Sequence, residues 1–437
     1  MHKEIYWNKK QECMSIEARR ILQLERLQKT VRHAFDHMPL YHKKMQVAGI
    51  EPGDIKELDD LCKLPFTTKQ DLRDSYPYGM IAVPLEKIVR FHASSGTTGQ
   101  STVSAYTQND IDSWTECSAR SITSAGGTAK DILQISYGYG LFTGGLGLHY
   151  GGEKVGMSVI PTSSGNTRRQ IQMMVDLGTT MLACTPSYAM YLAESIEEMG
   201  VKQDRLRLKS GLFGAEPWTE AMKAELEKRL NIQAFDIYGL SEVMGPGVAI
   251  SCQHNDGMHV FDDYFLPEVI DPDTQVVLPK KTQGELVFTC IAKEGIPLIR
   301  YRTRDVAALN DDICPCGRTH VRMNKITGRT DDMLIIRGVN IFPSQVEAIL
   351  LELNLATPNY HIIVDRDGAL DTLEVQVEIL EDMFSDHIKG LEHISRTIAK
   401  ELNNILGVGC KVTLVEPKSL PRSEGKAKRV TDKRNLK

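Results

Sequence analysis

The sequence contains no run of about 18 apolar residues, the length that a membrane-spanning helix needs. Its first ten residues also lack the apolar core of a secretion signal. Neither sign of charge dominates, because 52 Lys and Arg residues stand against 57 Asp and Glu residues, and the net charge of -5 gives no argument for a nucleic-acid partner. We therefore expect a cytoplasmic protein with neither a membrane nor a nucleic acid as its partner.

Cysteine is scarce and irregularly spaced. The chain has nine cysteines, an odd number, and most of them stand alone in the sequence. This distribution suits buried thiols in a reducing compartment better than a framework of disulfides. Internal repeats and low-complexity tracts are also absent, and 437 residues are too many for one ordinary core. We therefore expect two or three domains.

Helical and extended patterns alternate through the middle of the chain. Apolar residues at helical spacing predict an N-terminal helix over residues 16–38, which ends before Pro39. Further helices are predicted over residues 167–177, 186–199 and 219–230, and strands over residues 179–183, 210–214 and 233–238. Such alternation is typical of parallel sheets with crossover helices, in which ligands bind beyond the carboxyl ends of the strands.

The pattern changes after Gly328. Apolar and polar residues alternate over residues 373–379, which predicts a half-buried strand, and an apolar face over residues 388–405 predicts a helix. A short strand is predicted over residues 411–416. We therefore expect a large domain over residues 1–328, a hinge over residues 329–332 and a small α+β domain over residues 333–437.

Residues 94–99, SSGTTG, combine four hydroxyl side chains with two glycines between two predicted strands. Glycines let backbone N–H groups turn toward an anion, and the hydroxyls add neutral donors, so this loop predicts phosphate binding. The lysine of a Walker loop is missing, since Gln100 and Ser101 follow Gly99. A flexible surface loop is the alternative that composition alone leaves open.

The same loop resembles the phosphate-binding loop of the adenylate-forming enzymes, the acyl-CoA synthetases and their relatives. Four more segments resemble motifs of that family, in order: residues 236–242, 301–305, 328–332 and 420–426. Three segments are more similar to the phenylacetate-CoA ligase subfamily: residues 137–145, 214–218 and 424–430. The resemblance covers essentially the whole chain. It implies an α/β fold, with a large N-terminal adenylate-forming domain of parallel sheets and crossover helices and a small mobile C-terminal α+β domain.

The activity that this resemblance implies is ATP-dependent ligation of phenylacetate, or a related arylacetic acid, to coenzyme A. The reaction passes through an acyl-adenylate and releases AMP and pyrophosphate, with Mg²⁺ as cofactor. The alternative activity within the same family is adenylation of another aryl acid, or of a deazaflavin cofactor, without transfer to CoA. A regulator that only binds AMP is a third reading. The family also leads us to expect a homodimer.

The resemblance also implies roles for individual residues. The expected ATP or AMP site comprises Ser94, Ser95, Gly96, Thr97, Thr98, Gly99, Gly214, Ala215, Glu216, Pro217, Asp236, Tyr238, Gly239, Ser241, Asp305 and Arg329. Asp305 would hold the ribose hydroxyls, although a turn role or an ion pair with Arg302 or Arg304 is the alternative. The expected catalytic residues are Lys426, on the α-phosphate and acyl oxygen, with Glu242 and Thr98 near the metal. Lys428 and Arg429 are the nearby alternatives to Lys426.

Aromatic residues separated by glycines mark the expected acid pocket. Tyr137, Tyr139 and Phe142 lie among glycines that would let a flat ring approach the backbone, while filling of the core is the alternative. Gly214 and Ala215 are expected to border the same pocket. The resemblance further implies Asp331 as the hinge pivot and Gly338 beside coenzyme A.

Four residues predict a structural Zn²⁺ site. Cys314 and Cys316 flank a single proline and precede a glycine, which resembles a metal knuckle, while Cys252 and His259 flank a turn-rich segment. Three thiols and an imidazole suit tetrahedral zinc. Ordinary thiols are the alternative, and His254 or His320 could replace His259.

Overall fold

The computed structural model of the protein describes residues 6–93, 101–330, 334–337, 339–353, 355–367, 370–380, 388–423 and 427–434. The chain divides into two compact units. Unit 1 comprises Met1–Cys184, Gly200–Ala215 and Ile232–Lys325. Unit 2 comprises Thr185–Met199, Glu216–Asn231 and Ile326–Lys437.

The helices of unit 1 are α1 Lys9–Glu12, α2 Ile16–His37, α3 Pro39–Ala48, α4 Lys69–Asp74, α5 Gln108–Ser124, α6 Gly144–Val155 and α7 Thr167–Leu177. Those of unit 2 are α8 Pro186–Glu198, α9 Glu220–Leu230, α10 Pro343–Leu353 and α11 Ile388–Leu406. None of the helices in the described ranges is both long and apolar enough to cross a membrane.

The strands of unit 1 are β1 Ile88–Ala93, β2 Val103–Thr107, β3 Ile132–Ile135, β4 Ser158–Ile160, β5 Met181–Cys184, β6 Ser210–Gly214, β7 Gln233–Leu240, β8 Gly245–Ser251, β9 Met258–Val260, β10 Phe265–Ile270, β11 Gly284–Cys290, β12 Tyr301–Ala307, β13 Leu309–Asn310 and β14 Arg322–Met323. Those of unit 2 are β15 Gly328–Arg329, β16 Leu334–Ile336, β17 Val339–Ile341, β18 Tyr360–Asp367, β19 Leu370–Glu378, β20 Lys411–Val415 and β21 Val430–Asp432.

Unit 1 is built on a sheet of nine strands in the order β13-β14-β9-β8-β7-β6-β5-β3-β4. The strands from β4 to β7 pair in parallel, and the remaining pairs are antiparallel. Strands β5 and β6 are buried along their whole length, as expected for parallel strands covered on both faces. The strands β10, β11 and β12 form a second, antiparallel arrangement, and β1 pairs with β2 in a hairpin.

Helix α2 shows how local sequence sets an element of unit 1. The Ser15 side chain accepts a hydrogen bond from the Ala18 N–H and caps the first turn, while Pro39 follows the last residues. The buried residues Leu27, Val31 and Ala34 recur at helical spacing. The helix therefore buries one apolar face and ends where the sequence predicts.

Unit 2 contains a sheet of four strands in the order β20-β19-β18-β21, whose outer pairs are parallel and whose central pair is antiparallel. Alternate residues of β19, among them Leu373, Val375 and Val377, are buried in a core with Ile398 and Leu402 of α11. The period-two pattern therefore reports the buried face of this strand. The segments that contain α8 and α9 group with these C-terminal residues.

The predicted α/β class is confirmed, and the predicted helices and strands agree with the described ones to within a few residues at their ends. The parallel pairing that alternation predicted is present between β3 and β7. The domain boundaries at residues 328 and 333 stay a prediction, because the two compact units divide the chain at other positions as well.

Candidate active site

Tyr238 and Asp305 meet in unit 1. The Tyr238 hydroxyl on β7 donates a 2.6 Å hydrogen bond to Oδ2 of Asp305 on β12, and both residues are buried. The two arginines that could have paired with Asp305, Arg302 and Arg304, both form ion pairs with Glu285 of β11, at 2.5 and 3.6 Å. A carboxylate and a phenol on strands of two different sheets therefore lie together.

Two glycines let the main chain pass very closely at the ends of β6 and β7. A Cβ on Gly214 would lie 2.0 Å from the Ile237 carbonyl oxygen, and one on Gly239 would lie 1.7 Å from the Gly245 oxygen. Any side chain at either position would force these strands apart. Ala215 follows with a φ of 70°, a left-handed conformation that bends the chain away from the strand.

Glu242 lies in the turn that follows β7, and it is only 5% exposed. Its Oε1 accepts a 3.2 Å hydrogen bond from the Thr102 hydroxyl and lies 3.3 Å from Nζ of Lys69 on α4. The neighbouring Ser241 hydroxyl lies 3.0 Å from Oγ1 of Thr143. A buried carboxylate is thus held at the end of the parallel sheet beside one ammonium group.

Sequence reasoning missed Lys69 and Thr102. Nothing in the pattern around Lys69 distinguishes it from a solvated helical lysine, since its partner lies more than a hundred residues away in the chain. Thr102 stands close to residues 94–99, so its position beside a predicted phosphate loop was the signal that could have found it.

The predicted acid-pocket residues lie between β3 and α6 but differ in exposure. Tyr137 is buried, Phe142 is 51% exposed, and the Tyr139 hydroxyl lies 3.1 Å from Nδ1 of His149. Burial raises the pKa of Tyr139, which keeps the phenol neutral. Filling of the core accounts for Tyr137 but not for Phe142.

Glu216 belongs to unit 2 and has both carboxylate oxygens occupied by main-chain donors. Oε1 accepts from the Ser187 N–H and Oε2 from the Ala427 N–H, each at 2.8 Å. Ala427 directly follows Lys426 in the sequence. Glu216 therefore anchors the chain beside the predicted catalytic lysine, while its neighbour Pro217 is exposed.

Other side chains of unit 2 also hold this C-terminal segment. Arg422 makes two hydrogen bonds to the Glu378 carboxylate, at 2.7 and 2.8 Å, and one of 3.2 Å to Glu194. Arg429 lies over the ring of Tyr360, 4.6 Å from its centroid. Arg329, on β15, is partly buried.

Several predicted site residues lie outside the described residues: Ser94, Ser95, Gly96, Thr97, Thr98, Gly99, Asp331, Gly338 and Lys426. Their predicted roles stay predictions. The two strands predicted on either side of residues 94–100 are present as β1 and β2, and they pair antiparallel.

A cluster of three thiols and one imidazole lies in unit 1. Cys252, His259, Cys314 and Cys316 are all buried, and their potential ligand atoms lie within 4.8 Å of one another. The Cys252 and Cys314 sulfurs are 3.7 Å apart, and Cys316 Sγ lies 3.4 Å from His259 Nε2. Strand β9 carries His259, and the Cys314 and Cys316 loop precedes β14, which pairs with β9.

The electrostatics favour the metal-binding form at two of these four residues, whereas the hydrogen bond with Cys316 raises the pKa of Cys252 and burial raises the pKa of Cys314. The contact with Cys252, together with His259, lowers the pKa of Cys316, which favours its thiolate. Burial lowers the pKa of His259, which favours the neutral imidazole. His320, the alternative ligand, instead lies 2.7 Å from Asp262 through its Nδ1.

Comparison with known proteins agrees with this geometry. The profile of the AMP-binding enzyme family matches residues 55–291, and that of the AMP-binding enzyme C-terminal domain matches residues 338–434. The chain therefore belongs to the AMP-binding enzymes. Within them it belongs to the phenylacetate-coenzyme A ligases, as the following relatives show.

The chain is 51% identical to a phenylacetate-coenzyme A ligase of Aromatoleum evansii, over 95% of this chain and 94% of that relative. It is 48% identical to the phenylacetate-coenzyme A ligase of Escherichia coli strain K12, over 97% of each chain. A crystal structure of 2-hydroxyisobutyryl-CoA ligase, 29% identical, superposes with a TM-score of 0.93 and covers 99% of this chain and 93% of that one.

Proposed function

We propose that this protein ligates phenylacetate, or a closely related arylacetic acid, to coenzyme A through an acyl-adenylate, with release of AMP and pyrophosphate. The observation that carries the proposal is the near 50% identity to phenylacetate-coenzyme A ligases along almost the whole chain. The buried Tyr238 and Glu242, near the end of β7, and the buried Asp305 that Tyr238 contacts from β12 support it.

In the first half-reaction the substrate carboxylate attacks the α-phosphorus of ATP and pyrophosphate leaves in line. We infer that the hydroxyls and backbone N–H groups of residues 94–99 bind the phosphates. Asp305 accepts the ribose hydroxyls, and Tyr238 orients its carboxylate through the 2.6 Å hydrogen bond. The backbone at Gly214, Ala215 and Gly239 is proposed to border the adenine, since the close approach of the strands at the two glycines fixes the main chain there.

Glu242 is the residue that we propose for Mg²⁺, together with Thr98. A buried carboxylate is a hard oxygen donor of the kind that Mg²⁺ takes, and Lys69 Nζ at 3.3 Å supports the view that a cation is accepted here. Mg²⁺ would neutralise charge on the phosphates as pyrophosphate leaves. Asp236 and Ser241, on either side of Tyr238, are proposed to complete the nucleotide-binding strand and turn.

Lys426 is proposed to stabilise the charge on the α-phosphate and the acyl oxygen. Its reach depends on where its backbone is held, and Glu216 accepts the N–H of the next residue, Ala427. The proposed role of Glu216 is therefore to anchor the lysine rather than to contact adenine directly. Pro217 and Arg329 remain proposed nucleotide neighbours.

The second half-reaction is attack of the coenzyme A thiol on the acyl-adenylate. We propose that a rotation around Asp331 brings another face of the small domain to the acyl group, with Gly338 beside the pantetheine chain. The aromatic ring of the acid would lie against Tyr137, Tyr139 and Phe142 between β3 and α6. The exposed ring of Phe142 supports contact with a ligand more than a role in the core.

We also propose a structural Zn²⁺ ion bound by Cys252, His259, Cys314 and Cys316. Two thiolates bound to one zinc with bonds of about 2.3 Å in tetrahedral geometry lie about 3.8 Å apart, close to the 3.7 Å between the Cys252 and Cys314 sulfurs. Four protein ligands leave no open position for catalysis. The ion would instead tie the β8–β9 connection to the loop before β14.

An activity assay tests the proposed function directly. The protein is incubated with ATP, Mg²⁺ and a panel of aryl and aliphatic acids, with and without coenzyme A, and both AMP and thioester are measured. We expect phenylacetate or another arylacetate to give the highest kcat/KM and thioester to form only with coenzyme A. AMP-linked adenylation of a deazaflavin with no thioester from any acid would instead support the alternative function.

A further inference from the structure

Three consecutive carbonyl groups in the turn that carries Glu242 accept hydrogen bonds from side chains of β2 and of the connection that follows β11, both in unit 1. The Ser241 carbonyl oxygen accepts hydrogen bonds from Oγ of Ser104 at 2.7 Å and from the hydroxyl of Tyr106 at 3.1 Å. Ser104 and Tyr106 lie on β2, the strand that follows residues 94–100. The turn is thereby attached to the strand next to the predicted phosphate loop.

Lys293 binds the other two carbonyl groups. Its Nζ donates to the oxygens of Glu242 and Val243, each at 3.1 Å, and lies 4.4 Å from the centroid of the Tyr106 ring. The residue is only 3% exposed. One ammonium group therefore joins two successive carbonyls of the turn to the aromatic face of β2.

The backbone that carries Lys293 is itself fixed. The Asp110 carboxylate on α5 accepts the N–H groups of Glu294, at 2.8 Å, and Gly295, at 3.0 Å. Asp110 is buried as well, so these bonds form away from water. The ammonium group of Lys293 is therefore presented from a rigid base.

A buried ammonium group is costly, and its hydration is replaced here by two carbonyls and a ring face rather than by a directly bonded carboxylate. Burial accordingly lowers the pKa of Lys293, although Cys290, Asp110 and Glu242 oppose that shift. Because an apolar side chain could fill the space but could not donate to the two carbonyls, the charge points to a function other than packing.

We propose that Lys293 is a positioning residue for adenylation, which acts by holding the turn that presents the Glu242 carboxylate. The proposal rests on the proposed function, since Glu242 matters only if ATP and Mg²⁺ bind beside it. Removal of the ammonium would take the Lys293 donor from the Glu242 carbonyl and leave the Val243 carbonyl with the weaker Cys290 thiol at 3.8 Å, which frees the turn to move. The carboxylate would then lie in its binding geometry for a smaller fraction of the time.

The test replaces Lys293 by methionine, which keeps the length of the side chain and removes the charge. We expect Lys293→Met to slow adenylate formation roughly 10- to 100-fold and to raise the Mg²⁺ concentration needed for half-maximal rate. Thioester formation from synthetic acyl-adenylate should stay within about threefold of the wild-type rate. Lys293→Arg, which keeps a cationic donor, should recover part of the loss.

Two further variants separate positioning from general damage. Tyr106→Phe keeps the ring and removes one donor to Ser241, so we expect a smaller loss of the same kind. Arg26→Met is the matched control, because Arg26 also donates to a carbonyl, that of Asp263, and lies over a tyrosine ring, that of Tyr264. It should lower thermal stability without changing the ratio of the two half-reactions.

Wild-type adenylation by Lys293→Met, or an equal loss in both half-reactions, would overturn the proposal. Calorimetric measurement of Mg²⁺-ATP binding distinguishes failure of the positioning role from failure of the proposed function itself. If the wild type binds Mg²⁺-ATP but adenylates no acid, the proposed function is wrong. Separately, if Lys293→Met binds Mg²⁺-ATP as tightly as the wild type, the positioning role is overturned. If Lys293→Met does not fold, the same comparisons are made with Lys293→Arg and Tyr106→Phe.

Discussion

The Tyr238 hydroxyl donates a 2.6 Å hydrogen bond to the Asp305 carboxylate, which joins the end of β7 to β12 inside unit 1. The two residues are 67 positions apart in the chain. Because both are buried, the bond forms away from water and holds the carboxylate in one orientation. We therefore propose that ribose recognition depends on this pair of residues rather than on one acid.

Changes at this pair should affect ATP binding unequally. We expect Asp305→Asn to lower kcat/KM for ATP about 100-fold, because it removes the proposed ribose acceptor, and Tyr238→Phe to lower it only about three- to tenfold, because it removes one orienting hydrogen bond. Steady-state assays at varied ATP measure both values. Tyr41→Phe, which removes a buried hydroxyl bonded to the Pro65 carbonyl, is the control. Equal losses of kcat/KM in Asp305→Asn and Tyr238→Phe would contradict the prediction that the carboxylate matters more than the hydroxyl.

Loss of the predicted catalytic lysine should separate the half-reactions. We expect Lys426→Ala to reduce acyl-adenylate formation roughly 100-fold or more, because charge on the reacting oxygens loses its partner. Thioester formation from synthetic acyl-adenylate should persist. Lys428→Ala, an exposed lysine two positions further on, is the control and should retain both activities. An equal loss in both half-reactions would remove Lys426 from this role.

Zinc content tests the proposed metal site. Protein purified without chelators should contain about one zinc per chain, and Cys314→Ser should lower both the zinc content and the melting temperature, because a structural ion contributes to folding. Elemental analysis and thermal unfolding measure the two effects. Cys117→Ala changes a buried cysteine of α5 outside the cluster, so it should keep its zinc. Zinc-free wild-type protein of full stability would refute the site.

His92 should make stability depend on pH. Its ring is buried, Nδ1 lies 3.1 Å from the Leu141 carbonyl, and burial lowers the pKa of its imidazole. The unfolded chain therefore binds a proton below about pH 6.5 while the folded protein does not, so stability is full above that pH and falls as the pH drops toward the folded pKa.

Urea unfolding between about pH 7.5 and 5.5 measures this slope. We expect His92→Phe to flatten it, whereas His37→Gln, at an exposed position of α2, should follow the wild-type curve. The comparison uses slopes because the substitution also removes the His92 contact with the Leu141 carbonyl, which keeps only the Ala93 N–H as a donor at 3.0 Å. Identical slopes in wild type and His92→Phe would exclude His92 as a source of the pH dependence.

The elements of this fold were predictable because their signals are local. Burial of one face repeats every two residues in β19, and Ser15 and Pro39 mark the ends of α2 within a few residues of the helix itself. The cluster of three cysteines and one histidine was predictable from residue types and spacing. The structure brings the four side chains together, and the presence of the ion stays a proposal.

Contacts between distant side chains were not predictable in the same way. Lys69 beside Glu242 and Lys293 beneath the same turn resemble ordinary surface lysines in the sequence, yet one forms an ion pair and the other is buried. The sequence by itself determined the order of the elements, their buried faces and the glycines that allow close strands. Only the tertiary structure decided which groups meet, because a periodic pattern reports that a face is buried and not what it is buried against.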